Sequence, residues 1–188
     1  MAYSADSFTA GEQPTTAKWN KLWSNDASFN DGTGIANLAW NVTSLSNPYK
    51  FLAYRNSAQT INTGALRQIN FDSEIYDTNG NFDSSTNFRY TAPVAGFYDF
   101  KASIAITGAA AVTRLILELF INGSDTYRLG DSTTTSSTAN AVNGAAQIQL
   151  SASDTVDVRV QPVGANAVLD VGTSPYKVWF AGRLASRT

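Results

Sequence analysis

Glu74 with Asp72 or Asp77, and Glu118 with Asp99, are the carboxylate pairs from which this chain would have to build hydrolytic chemistry. Two carboxylates about 5–9 Å apart can cleave a glycosidic bond. Residues two apart on a strand share a face in any β protein, so such pairs arise by chance and do not point to catalysis. Asp77-Thr78-Asn79-Gly80-Asn81-Phe82-Asp83 invites a calcium reading. A helix–loop–helix calcium loop spaces its oxygens two apart, with a glycine at the sixth position and a glutamate at the twelfth. Here Gly80 follows Asn79 directly and no glutamate arrives, so a β-hairpin turn accounts for the segment better and no metal ligands are assigned. The chain has no His and no Cys. That removes the commonest general base, the Ser-His-Asp triad, thiolate nucleophiles and disulfides. The expectation is no catalytic residue, no cofactor and no enzyme.

The remaining composition describes a neutral, hydroxyl-coated surface. Of 188 residues, 19 are Ser, 20 Thr and 16 Asn, while charged residues are 15%, against a usual value of about 25%. A net charge of −2 sets up no field for nucleic acid or an acidic membrane. No apolar run approaches the roughly 18 residues of a spanning helix, so no membrane insertion is expected. The start, MAYSADSFTAGEQ, lacks a basic region followed by an apolar block, so no secretory signal is expected.

Two regions differ in texture. Residues 1–46 hold Trp19, Trp23 and Trp40 in an Asn-rich background. Within them QPTTAKWNKLWSND is the best helix candidate, capped by Thr15 or Thr16. Trp19, Leu22 and Trp23 fall on one face of it. About ten helical residues are marginal alone in water, so that face needs a partner surface, either in its own domain or, the favoured reading, on another chain. Residues 1–46 are thus expected to form a short helical or extended arm for attachment or oligomerisation, and residues 47–188 a separate head.

The head reads as strands. In FYDFKASIAI, residues 97–106, Tyr98, Phe100, Ala102, Ile104 and Ile106 alternate with Phe97, Asp99, Lys101, Ser103 and Ala105, the period of a half-buried strand. Val156, Val158 and Val160 lie opposite Thr155, Asp157 and Arg159, and Ala146, Ile148 and Leu150 opposite Gln147 and Gln149. In residues 176–184, Tyr176, Val178, Phe180, Gly182 and Leu184 share a side, with Trp179 and Arg183 on the other. RLILELFI, residues 114–121, has a length that also allows a helix, but its alternation and the following Asn122-Gly123 hairpin signal favour a strand. Further turns are expected at Asn79-Gly80, Ala95-Gly96 and Asn143-Gly144, and an exposed loop over residues 131–140. Eight to ten short strands with no helix among them predict an all-β antiparallel sandwich or jelly roll.

Four segments in order carry a resemblance. FRYTAPVAGFYDF places Tyr90, Pro93, Gly96, Tyr98 and Phe100 in a Phe-x-x-Pro-x-x-Gly-x-Tyr-x-Phe pattern, with Tyr90 replacing the usual Phe. LFINGSD, QIQLSASDTVDVRV and YKVWFAGRLA follow, the last through Phe180, Gly182 and Leu184. Residues 50–185 are similar to the globular head domain of complement component one, subunit q, and its tumour-necrosis-factor-like relatives. The resemblance implies a ten-stranded jelly roll that assembles as a homotrimer. Calcium occurs in that family, but its ligands do not map onto these positions. Phe97, Ile116, Phe120 and Trp179 sit on the non-core faces of their strands and are the expected trimer interface, with packing inside the subunit as the alternative. Gly96 is expected to permit a turn at strand entry, and Gly182 a close approach by a neighbour.

The opening FTAGEQPTTAKWNKLW resembles, through Phe8, Gly11, Glu12, Trp19, Asn20 and Leu22, the first residues of many bacteriophage fibre and virion proteins. Together the two resemblances imply a non-enzymatic, homotrimeric bacteriophage virion protein, made in the host cytoplasm. Its arm would bind other virion proteins of the capsid or tail. Its head would serve as capsid decoration, head fibre or tail receptor binder. The alternatives are a soluble carbohydrate- or ligand-binding module of bacterial origin and a virion glycan-degrading enzyme. The residues from Tyr127 to Asn143 have the composition of a surface for a host glycan.

Overall fold

A computed structural model describes residues 48–107, 111–133, 139–171 and 176–188. The expected arm, with Trp19, Leu22 and Trp23, and the boundary at residue 46 lie outside the described residues. Thirteen strands and no helix occur among the residues described. Eight have five residues or more: β1 (Lys50–Tyr54), β4 (Ser73–Asp77), β7 (Gly96–Thr107), β8 (Arg114–Ile121), β9 (Asp125–Thr133), β10 (Ala139–Leu150), β11 (Thr155–Val163) and β13 (Trp179–Arg187). The other five are short: β2 (Thr60–Ile61), β3 (Arg67–Gln68), β5 (Phe82–Asp83), β6 (Arg89–Thr91) and β12 (Ala167–Leu169).

They form two antiparallel sheets, as the alternating pattern requires. Sheet A runs β2-β12-β7-β13-β1-β4, with β10 along the other side of β7. Sheet B runs β5-β6-β11-β8-β9, with β3 beside β11. The expected antiparallel jelly roll is the observed fold. RLILELFI is a strand, β8, and the alternation placed its inward set correctly. Leu115, Leu117 and Leu119 are fully buried, as are Tyr98, Phe100, Ile104 and Ile106 of β7.

Between the sheets lies a core dense in aromatic rings. Phe51 stacks on Phe82 at 5.0 Å and on Tyr90 at 4.8 Å, and meets Phe180 edge-on at 5.0 Å. Phe100 stacks on Phe180 at 5.7 Å. Gly182 makes room for this cluster: a Cβ there would lie 2.6 Å from Phe100 and from Phe51. Its role is the one expected of it.

Two turn expectations need correction and one a new reason. Asn143-Gly144 is no turn but the middle of β10, paired with Ser103 and Ala102. The glycine serves instead to let β9 cross β10, since a Cβ on Gly144 would collide with the Leu129 carbonyl. Asn79-Gly80 is a turn, with Gly80 at φ +66°, but not a hairpin: β4 pairs with β1 in sheet A and β5 with β6 in sheet B, so it carries the chain between sheets. Gly96 begins β7, where a Cβ would strike the Ser186 carbonyl and the Leu184 side chain, so close packing on β13 explains it. Of the residues 131–140 expected to form a loop, Asp131–Thr133 end β9 and Ala139 and Asn140 begin β10, and 134–138 lie outside the described residues. Asn122-Gly123 is the hairpin turn it was read as, with φ +51° and +75°, the left-handed pair that matches strand twist.

Candidate functional site

The outward faces of the two sheets differ in chemistry. Residues opposite one another in antiparallel strands share a face, so the register of sheet A yields its outer rows. One row runs Tyr76, Leu52, Ala181, Lys101, Ala145. The next runs Ser73, Tyr54, Trp179, Ser103, Asn143. A third runs Lys50, Arg183, Asp99, Gln147, where Asp99 accepts from Arg183 at 3.1 Å and from Gln147 at 2.9 Å. The face is therefore graded, aromatic and aliphatic over β4, β1 and β13, and small or amide over β10. Tyr54 packs on Tyr176 at 4.5 Å. A concavity of about 320 Å³ opens among Lys50, Tyr76, Lys101 and Arg183.

Six large apolar side chains are exposed among the described residues: Ile75, Tyr76, Phe97, Tyr127, Val168 and Tyr176. Four of them lie on strands of sheet A, and Tyr176 lies just ahead of β13. Scattered apolar residues are ordinary on a surface; here Tyr76 and Tyr176 stand with Tyr54 and Trp179 over β4, β1 and β13, whereas Val168, opposite Thr107, and Phe97 lie at opposite ends of β7. Phe97, 38% exposed, and the half-buried Trp179 belong to this face.

Ile116 and Phe120 do not join them. Both leave β8 on the outer face of sheet B, across the sandwich from Phe97 and Trp179. Ile116 is 7% exposed, between Asp131 and Gln161 in register. The Arg159 guanidinium lies 3.8 Å above the Phe120 ring. Arg159 thus covers Phe120 with its own chain, and Ile116 is buried within it. Beside them runs an ion network: Arg114 and Arg128 both hold Asp131, and Arg128 reaches Glu118 at 3.0 Å. The Arg114 hydrogen bonds hold the Asp131 carboxyl below its ordinary range.

Apart from the exposed Glu74 of β4, the nominal carboxylates are otherwise engaged. Glu118 and Asp99 leave opposite outer faces and do not converge on a substrate. Asp72 meets Arg55 at 3.0 Å; burial raises its pKa, but the Asn56 N–H, the Ser57 side chain and the Arg55 charge outweigh burial and leave it lowered. Asp77 accepts from the N–H groups of Asn79 and Phe82, the second at 2.7 Å. Asp83 accepts from the N–H groups of Thr86, Ser85 and Asn87. Those bonds, Thr86 first, drive its carboxyl far below the usual range. Both ends of the supposed calcium segment are thus loop caps.

A second concavity, about 400 Å³, lies on sheet B where β6 and β3 meet β11. Thr86, Asn87, Arg89, Gln68, Asp157 and Arg159 line it, with the Asn122-Gly123 turn and Thr155 at its margin. Sequence reasoning found the outward set Thr155, Asp157 and Arg159 but missed Arg89 and Asn87. Alternation does place Arg89 outward beside the buried Tyr90. What no local pattern carried is the pairing of Val156 with Tyr90 and of Arg159 with Gln68, which gathers three strands at one spot.

The C1q domain family model matches residues 50–184. No curated protein matches the chain. Among solved structures, the globular domain of the zebrafish complement 1qA protein is 22% identical with a TM-score of 0.53, over 74% of this chain and 99% of that one. Eiger TNF from S. frugiperda is 12% identical with a TM-score of 0.56, over 74% and 94%. Murine APRIL is 9% identical with a TM-score of 0.53, over 72% and 97%.

Proposed function

The chain belongs to the C1q domain family, and on that premise we propose that it is a non-enzymatic homotrimeric head carried on a bacteriophage particle by residues 1–46. Domains of the complement and tumour-necrosis-factor type are generally trimeric, non-catalytic binding modules. The observation that supports the trimer is the aromatic part of the outer face of sheet A, Tyr54, Tyr76, Tyr176 and Trp179, with Phe97 exposed beyond the charged row of Lys50, Arg183 and Asp99. Covered by neighbours around a three-fold axis, that face becomes interior. An obligate contact of this kind buries more than about 2,000 Å² in total.

The virion assignment rests on the opening through Phe8, Gly11, Glu12, Trp19, Asn20 and Leu22, similar to those of phage fibre proteins. The arm attaches to capsid or tail proteins, and the head faces outward as decoration, fibre or receptor binder. Sedimentation equilibrium of the full chain at micromolar concentration tests the trimer. The expected mass is about 60 kDa, three times the 20.1 kDa chain; a stable monomer overturns it. Labelled protein added to intact particles and imaged by electron microscopy tests the location. Trp19→Ala with Trp23→Ala is expected to leave the head trimeric and release it from particles.

A further inference from the structure

We infer that the concavity on sheet B binds the carboxylate of a hydroxyl-rich ligand, the chemistry of a uronate residue in an acidic polysaccharide. Its size, about 400 Å³, lies within the roughly 300–1,000 Å³ of small-molecule sites. Its formal charge is positive: Arg89 and Arg159 face one carboxylate, Asp157. That carboxylate is already engaged. Asp157, 6% exposed, accepts from Arg159 Nε at 2.7 Å and from Nη2 at 3.2 Å.

The fork leaves Arg159 Nη1 uncommitted. Its guanidinium is pinned between Asp157 and the Phe120 ring, so little ordering remains to be done when a ligand arrives. The Arg89 side chain makes no hydrogen bond or ion pair among the described residues and is exposed. An arginine presents its donors as a planar fork matched to a carboxylate. The rest of the lining is polar: the Thr86 hydroxyl and the side-chain carbonyls of Asn87 and Gln68 can meet sugar hydroxyls, while the amide nitrogens of Asn87 and Gln68 are held by Asp83 and by the Asn87 and Phe88 carbonyls.

The rim is held in shape. Asp83 ties down the backbone of residues 85–87, and Gln68 Nε2 donates to the Asn87 carbonyl at 2.7 Å, fixing the loop to β3. Between Asn87 and Arg89, Phe88 has φ +51°, a conformation that costs a bulky residue free energy and persists where its surroundings enforce it. The concavity lies on the sheet opposite the proposed association face, so trimer formation through sheet A leaves it open.

Calorimetric titration of the full-length protein with D-glucuronate, D-glucose and inorganic phosphate tests the inference. Glucuronate is expected to bind, with glucose at least about tenfold weaker for want of a charged hydrogen bond. Arg89→Gln is expected to weaken glucuronate by about the same factor, and Arg183→Gln, on the other sheet, to leave it unchanged. Phosphate binding as tightly as glucuronate would reduce the site to generic anion attraction and overturn the inference. So would Arg89→Gln protein that binds like wild type. Sedimentation of the same samples separates this outcome from failure of the trimer.

Discussion

A Cβ added to Gly144 would run into the main-chain carbonyl of Leu129, so β9 and β10 cross with their backbones in contact. β9 belongs to sheet B and β10 to sheet A. Gly130 repeats the relation from the other side, where a Cβ would lie 2.6 Å from Val142 and 2.8 Å from the Asn143 carbonyl. Two glycines thus close one edge of the sandwich.

Gly144→Ala is expected to destabilise the fold by at least about 2 kcal/mol, because a backbone carbonyl cannot step aside as a side chain can. Val142→Ala, in the same crossing, removes only two methyl groups and should cost less. Urea denaturation of both variants makes the comparison, and equal midpoints for Gly144→Ala and wild type would remove the crossing as a constraint.

Gly182→Val is expected to cost more than about 1 kcal/mol. Here the obstruction is the Phe100 and Phe51 rings, each 2.6 Å from the added Cβ. Those rings also pack on Phe82, Tyr90 and Phe180 and have no free direction in which to retreat. A melting temperature equal to that of wild type would contradict this account of β13.

What was legible in the sequence follows from what is local. Alternation placed Tyr98, Phe100 and Ile104 inward and Phe97 outward, because strand period needs no knowledge of the partner. Asn122-Gly123 read correctly because a tight turn between paired strands calls on residues that accept left-handed angles, and Asn and Gly do so wherever they stand. Asn143-Gly144 has the same letters, yet its glycine answers to β9, a neighbour across the sandwich edge. The four outward apolar residues show the same limit. Their outwardness is periodic and local, but whether they share a face depends on which sheet each strand joins, and that is settled by long-range pairing. The basin on sheet B lay beyond reach for that reason, since it needs β3, β6 and β11 together.

Tyr90→Phe is expected to leave stability unchanged or raise it by about 1 kcal/mol. The Tyr90 hydroxyl is buried with no hydrogen-bond partner among the described residues, and burial pushes its pKa up. Tyr98, its neighbour at 5.9 Å between rings, directs its own hydroxyl to the Val94 carbonyl at 2.7 Å. The family pattern also places Phe at this position. A clear loss of stability in the variant would mean that the hydroxyl has a partner.

Acid should loosen the β5–β6 loop through Asp83. Its folded pKa lies below the unfolded value of about 3.9, so its contribution is complete above that value and is lost as pH falls towards the folded pKa. Between about pH 5 and about pH 2.5, the urea midpoint of wild type should therefore fall further than that of Asp83→Asn, which has no such charge to lose. Equal falls would show that the carboxylate contributes no stability through its N–H donors.

Association should distinguish Trp179 from Phe120, although both are outward aromatics on the strand pattern. Trp179 lies in the row Tyr54, Trp179, Ser103 on the aromatic part of the outer face of sheet A. No charged side chain stands opposite it in that row. Phe120 is roofed by Arg159 at 3.8 Å, with Asp157 opposite it in register. Trp179→Lys places a charge where a neighbouring subunit would have to desolvate it, at a cost of several kcal/mol. The expected product is a folded monomer in sedimentation equilibrium, with the circular dichroism of a β protein. Phe120→Ala should cost stability yet leave the mass of the assembly unchanged. If Trp179→Lys remains trimeric while Phe120→Ala dissociates, subunits meet through sheet B, and the proposed face of association is the wrong one.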